Sequence, residues 1–268
     1  MILASRSKMH FAESTHWYTL DGQPCYEVKA AKGGMRPTTL RDARKLNLVP
    51  SVTTIIKMAA APGLENWKAE QLLMAALTLP RIQDEPESAW LDRVRNDSRE
   101  QARKAAERGT AIHASLQGYF DKDAAGVNTD HWPYVDGTAK ALKNYFSRGD
   151  WFSEQSFAHP LGFGGKCDLY AICNPQVVCD FKTKEFTADN LPKTWDDYAM
   201  QLAAYRHGFG MERARCAIVF VSVSVPGLCH IVELDQTELT KGWNCFKALL
   251  EFWQAKNDYR PDFDKQAA

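Results

Sequence analysis

The sequence predicts an α+β protein: a helical first part, then a central mixed β-sheet flanked by helices. Three observations carry this. Residues 88–120 are rich in Ala, Arg and Glu, the composition of a long helix. From Trp151 the character changes to short β-like runs, "WFSEQSFAH", "GGKCDLYAIC" and "QVVCDFKTK". A helical stretch over residues 196–209 then precedes the most apolar run, "CAIVFVSVSV".

The elements follow in order. Residues 1–50 read as an irregular or β-rich start, with turn signals at Asp21-Gly22 and Gly33-Gly34. Ser51 is placed to cap a helix beginning "SVTTIIKMA", which Pro62-Gly63 breaks. "LENWKAEQLLMAAL" is a second helix, and residues 88–120 a third with one weak point at Gly109. A polar loop over 121–130 leads to the helix "PYVDGTAKALKNYFSRG". Pro226-Gly227 turns the apolar strand back into "CHIVEL". Asp235 and Glu238 have capping-box spacing. The last helix carries a stripe of Leu239, Trp243, Phe246, Leu250 and Trp253 that is expected to lie on the sheet. The tail after Tyr259 is polar and expected to fray.

With 268 residues, 45% hydrophobic and 25% charged, the chain has the balance of one elaborated globular domain. We divide it into a mainly helical region, 1–105, and a core, 106–258. It has no apolar run of about 18 residues, so no membrane span is expected. The start, "MILASRSKMH", is too short and polar for a signal peptide. Both point to the cytoplasm, where the seven cysteines stay reduced. No C-x-x-C spacing occurs, which speaks against a zinc or iron–sulfur site. A P-loop pattern is also absent, so neither a nucleotide cofactor nor a helicase motor is expected. Formal net charge is zero, although residues 1–50 hold eight Lys/Arg against four Asp/Glu.

The chemistry concentrates in "GKCDLYAICNPQVVCDFKTK", residues 165–184. Residues i and i+2 of a strand share a face, so Asp180 and Lys182 project together. Folding this hairpin about Asn174 brings Asp168 opposite Asp180, with Cβ atoms about 5 Å apart. Like charges so placed destabilise a sheet unless something positive lies between them. A hard divalent cation suits that position. Read alone, Asp-x-Lys is equally a lysine neutralising an edge strand.

The pattern Gly165-x-x-Asp168 followed by Asp180-x-Lys182 resembles the PD-(D/E)xK nuclease superfamily, in its RecB-type branch. Upstream, "ERGTAIHASLQGYF" resembles that branch's Gly-Thr-x-x-His element. Downstream, "QLAAYRHGF" resembles its Gln-x-x-x-Tyr element, and "PSVTTIIKMAAAPGLENW" is similar to the N-terminal region of phage-encoded and mitochondrial-type exonucleases of the branch.

The resemblance implies a restriction-endonuclease-like core and a stand-alone, Mg²⁺-dependent DNA exonuclease in recombination, repair or phage DNA processing. Mn²⁺ is expected to substitute for Mg²⁺, and no iron–sulfur cluster is expected. His113, Asp168, Asp180 and the backbone carbonyl of Phe181 would hold the metal. Lys182 would position the attacking water and stabilise developing charge. Gln201 and Tyr205, one turn apart, would hold Lys182 or the scissile phosphate.

Glu154 is read as a supporting carboxylate, an outer metal ligand or a plain surface residue. Ser51, Lys166, Lys184 and Arg206 are candidate DNA contacts, with Trp67 and Trp195 as base-stacking candidates. The expected partners are DNA and a single-strand-annealing or single-strand-binding protein; a phage-encoded chain would work in the host cytoplasm. Lys57, Lys68, Arg103, Lys104 and Arg108 are expected to line a gate through which a free DNA end threads. A structure-specific or single-strand endonuclease and a non-catalytic DNA-binding module remain the alternatives.

Overall fold

The computed structural model describes residues 16–60, 62–147, 150–172 and 174–264. Among these, five strands form the central sheet: β5 (Phe152–His159), β6 (Phe163–Ala171), β7 (Val177–Lys184), β8 (Arg215–Ser222) and β9 (Cys229–Leu234), in that spatial order. The outer neighbours pair antiparallel, but β7 and β8 run parallel. A parallel pair needs a crossover, and helix α6 (Asp196–Gly208) supplies it. The result is the mixed sheet flanked by helices that the sequence predicts.

Two cores cover the two faces. On one, α4 (Glu87–Phe120) and α5 (Trp132–Phe146) bury Ile112, Leu116, Val135 and Leu142 against Leu169, Cys179, Phe181 and Val219. On the other, α6 and α7 (Gln236–Lys256) bury Leu202, Phe246 and Leu250 against Cys167, Val178, Ile218 and Phe220. Trp17, Leu48, Val52 and Ile55, from the first described residues, complete this second core.

Several expectations need correction. The N-terminal region is not only β-rich: besides short strands β1 (Trp17–Tyr18), β2 (Glu27–Lys29), β3 (Met35–Pro37) and β4 (Val49–Pro50), it holds helix α1 (Leu40–Leu46). A capping box between Thr39 and Asp42 starts that helix. Ser51 caps α2 (Val52–Ile56), but Pro62 and Gly63 begin α3 (Pro62–Thr78) rather than merely ending α2; proline is at home in a first turn, where its missing N–H has no partner to lose.

α4 runs unbroken through Gly109, where a Cβ would stand 2.6 Å from Oγ1 of Thr183. The glycine admits a side chain of β7. The α7 stripe reaches the sheet at Phe163, which meets Phe246 at 4.9 Å between ring centroids. α7 also packs on α6, where Gly242 lies against the Ala199 backbone. The tail is not frayed at its start: the Tyr259 hydroxyl donates to the carbonyls of Ala43 and Leu48, and Asn47 exchanges two hydrogen bonds with Asp262. Residues 1–10, read against a signal peptide, and Cys173 lie outside the described residues. No helix among the described residues is long and apolar enough to cross a membrane.

Candidate active site

Register is the first fact of the site. β6 and β7 pair from Ala171↔Val177 to Leu169↔Cys179, and the ladder stops one residue before Asp168 and Asp180. β5 and β6 pair at Ser153↔Leu169 and again at Gln155↔Cys167, with the step between them missing. Glu154, Asp168 and Asp180 therefore stand in one row across three neighbouring strands, and the backbone pairing opens at that row.

The opening also reverses the side-chain alternation. A regular strand sends i and i+2 to one face. Here Cys167 belongs to the α6 core and Leu169 to the α4 core. The switch falls on Asp168. Across from it, Glu154 has φ of 54°, a left-handed backbone that costs a non-glycine residue about 1–3 kcal/mol and clusters at functional sites. The carboxylate row thus sits in a gap in the sheet, reached from both faces.

From the α6 face, Gln201 organises the gap. Its Nε2 donates to Asp180 Oδ1 at 2.8 Å and to the Tyr205 hydroxyl at 2.9 Å, while its Oε1 accepts from Lys182 Nζ at 3.0 Å. Lys182 Nζ also lies 2.5 Å from Asp180 Oδ2. That oxygen is buried and receives no hydrogen bond of good geometry. Burial lowers the affinity of Lys182 for its proton, but the Asp180 and Asp168 carboxylates outweigh this and hold the ammonium above its ordinary range. Burial pushes the Tyr205 phenol well up, so it stays protonated.

From the α4 face comes His113. Its Nδ1 is 3.7 Å from Asp168 Oδ2, too far for a hydrogen bond, and its ring meets Phe181 edge-on at 5.9 Å. Burial, with Lys182 and Lys166 nearby, lowers its pKa to about 4 against the pull of Asp180. The imidazole is therefore neutral at pH 7 and keeps a free lone pair. Asp168 accepts the Phe181 N–H at 2.7 Å. Burial and the Asp180 and Glu154 charges nonetheless drive its carboxyl well above the usual range. A strand residue turns its N–H and C=O to the same neighbour, so the Phe181 carbonyl also faces the gap.

This donor set tests the expected metal. A buried carboxylate paired to an ammonium, a second carboxyl resisting ionisation, a neutral imidazole and a backbone carbonyl all converge on one gap. Oxygen donors of this kind suit Mg²⁺, and the added nitrogen suits Mn²⁺. Among the described residues no three His, Cys, Asp or Glu side chains form a ready cage; Asp180 is turned to Lys182 instead. The residues fit a divalent cation by donor type.

The remaining candidates are placed variously. Glu154 is ion-paired to Lys166, yet its buried Oε2 has no hydrogen bond of good geometry. Lys184 Nζ stands 5.5 Å from the centroid of the Tyr198 ring, as Lys182 Nζ does at 5.4 Å. Trp195 is exposed at the start of α6 and Trp67 is half-buried on α3. Two DNA-contact expectations are corrected by burial. Ser51 spends its hydroxyl on the α2 cap and on Thr54, and Arg206 is enclosed, donating to Gln236.

The helical region expected to form a gate has most of its basic side chains already paired. Lys68 pairs with Glu65, Arg103 with Glu100 and Glu107, Lys104 with Glu100, and Arg108 donates to the Val223 carbonyl. Tyr198 was missed, although its place three residues before Gln201 on one helix was a signal. The Tyr18–Tyr26 hydroxyl pair beside Glu154 and Lys166 was also missed; nothing local in the sequence marks it.

No family model and no curated protein matches the chain. Among solved structures it is similar to SSO0001, at 15% identity over 69% of this chain and 86% of that one, with a TM-score of 0.30. It is also similar to the alkaline exonuclease LHK-Exo from Laribacter hongkongensis, at 16% identity over 77% and 91% with a TM-score of 0.30. LHK-Exo in complex with dAMP gives 17% identity over 78% and 88%, with a TM-score of 0.34. Likenesses of this strength do not bear on function.

Proposed function

We propose that this chain is a divalent-cation-dependent deoxyribonuclease of the RecB-type PD-(D/E)xK kind, acting on DNA from free ends. The observation that carries the proposal is the clamped pair at the gap: Asp180 and Lys182, 2.5 Å apart, with the Gln201 amide bonded to both.

Asp168, Asp180, His113 and the Phe181 carbonyl would hold Mg²⁺ or Mn²⁺. When bound, the cation supplies charge neutralisation at the phosphate and lowers the pKa of water. Lys182, charged and fixed by two partners, directs a hydrogen bond into the gap. There it orients the attacking water and stabilises the charge that develops on a phosphoryl oxygen. Gln201 is a positioning residue, because it touches both Asp180 and Lys182 and so fixes their relative placement. Tyr205 fixes the Gln201 amide in turn. Neutral His113 offers its nitrogen lone pair without carrying a proton that would repel a cation.

The test is incubation with end-labelled linear DNA and with closed circular DNA, with Mg²⁺ and with EDTA. Progressive loss of linear DNA only, and only with Mg²⁺, is the expected result. Linearisation of single-stranded circles would replace end-dependent action by an endonuclease. No cleavage of any DNA would leave a non-catalytic module.

A further inference from the structure

The N-terminal end of α6 holds a feature that the proposed reaction does not use. A cavity of about 220 Å³ opens there, lined by Thr194, Trp195, Ala199, Met200, Leu234 and Lys241 among others. Trp195 is 52% exposed, a large apolar area for a residue that could have been polar. Its six-membered ring lies 3.3–3.5 Å from the point where a Cβ on Gly63 would stand. Glycine in the first turn of α3 therefore lets the indole rest against that helix, which fixes the ring beside the cavity.

We infer that this cavity receives one nucleobase of a single-stranded segment, stacked on Trp195 and belonging to the strand whose backbone reaches the gap. The inference rests on the nuclease reading above. Size limits the ligand first. Sites for drug-sized molecules run to roughly 300–1,000 Å³, so a smaller space takes a single ring system. Chemistry comes next: Ala199, Met200 and Leu234 give apolar wall, Asp196 and Glu238 add acceptors for the N–H groups of a base, and the indole offers a π-face, to which every base can stack.

Position is the third support. Trp195 precedes Gln201 by six residues, about 9 Å along a helix axis and roughly 120° around it. Tyr198 lies between them, with Lys182 and Lys184 within 5.5 Å of its ring centroid. The lysines provide positive charge for the backbone that would connect the gap to the cavity. At the cavity rim, Lys241 is paired with Asp196 at 3.0 Å but is itself two-thirds exposed, so it can turn to a phosphate.

The experiment is fluorescence anisotropy with a labelled ten-nucleotide oligothymidylate in EDTA, using Asp180→Asn as the parent protein so that binding is read without cleavage. A second oligomer of the same length carries abasic residues throughout. Trp195→Ala is expected to weaken oligothymidylate binding roughly 5- to 150-fold, the range for loss of one stacked base, and Trp195→Phe less. The parent should prefer oligothymidylate over the abasic oligomer, a readout that needs no change at Trp195. Equal binding of both oligomers by the parent, or binding by Trp195→Ala within twofold of the parent, overturns the base site. Cleavage of linear DNA by the wild-type protein, measured in parallel, separates the two failures. Cleavage retained means that only the base site is wrong; cleavage absent and binding absent means that the nuclease reading has failed with it.

Discussion

Two carboxylate–lysine pairs stand in the same sheet, Asp180–Lys182 on β7 and Glu154–Lys166 across β5 and β6. Their chemistry is the same and their surroundings differ. Asp180 is almost fully buried and shares Gln201 with its lysine, so three side chains fix one geometry. Glu154 has the strained backbone but no such third partner, and its lysine is about one-third exposed. An ion pair alone holds two charges near each other. A pair clamped by a bifunctional amide holds them in a set direction, which is what catalysis of phosphoryl transfer requires.

The comparison breaks most decisively at Asp180. Asp180→Asn is expected to lower single-turnover cleavage of linear DNA by about 10³-fold or more, with far-UV circular dichroism unchanged. Near-normal cleavage would remove the distinction between the two pairs altogether. Lys182→Ala comes next, with a loss of about 10²- to 10⁴-fold and Mn²⁺ binding retained by calorimetry. The matching Lys166→Ala change should cost less than about tenfold, since no bridging amide directs that lysine at the gap. Equal losses from the two lysines would mean that both pairs act at the reaction.

Gln201→Ala sharpens the comparison, because it should make the Asp180 pair resemble the Glu154 pair. A fall of roughly 10- to 100-fold in kcat with KM little changed is expected from lost positioning. A rise in KM alone would assign Gln201 to binding.

The smallest effect concerns stability and has a sign. The Asp168 carboxyl is held above its ordinary pKa, so the folded protein binds more protons than the unfolded chain once pH exceeds about 3.9. Stability contributed by this site then falls as pH rises through the raised pKa. Asp168→Asn should therefore raise the midpoint of thermal unfolding by a few degrees at pH 7 without divalent cations, while abolishing cleavage. His113 acts in the opposite direction. Its pKa is lowered to about 4, so stability is present above about pH 6.5 and is lost as pH falls from there toward 4. Differential scanning calorimetry of the wild type, Asp168→Asn and His113→Asn across pH 4–8 checks both slopes.

Much of the site is legible along the chain because its members lie on regular elements. Asp180 and Lys182 share a strand face by period two, and Gln201 and Tyr205 share a helix face by period 3.6; the turn near Asn174 sets a register that brings Asp168 level with Asp180. The Asp235–Glu238 capping box, the apolar β8 strand and the α4 helix are equally local. Glu154 is different. Its role in the row depends on β5 pairing with β6 at one register out of several, and on a positive φ that no glycine announces.

By itself the sequence determined the order of elements, the hairpin register and which side chains project together, because backbone periodicity and turn chemistry act over a few residues. Only the tertiary structure decided that alternation reverses at Asp168, that Ser51 and Arg206 are enclosed, that Tyr198 lies against both lysines and that Gly63 makes room for Trp195. Each of these depends on contacts between residues far apart in the chain, whose burial and spacing are fixed only when the two cores close on the sheet.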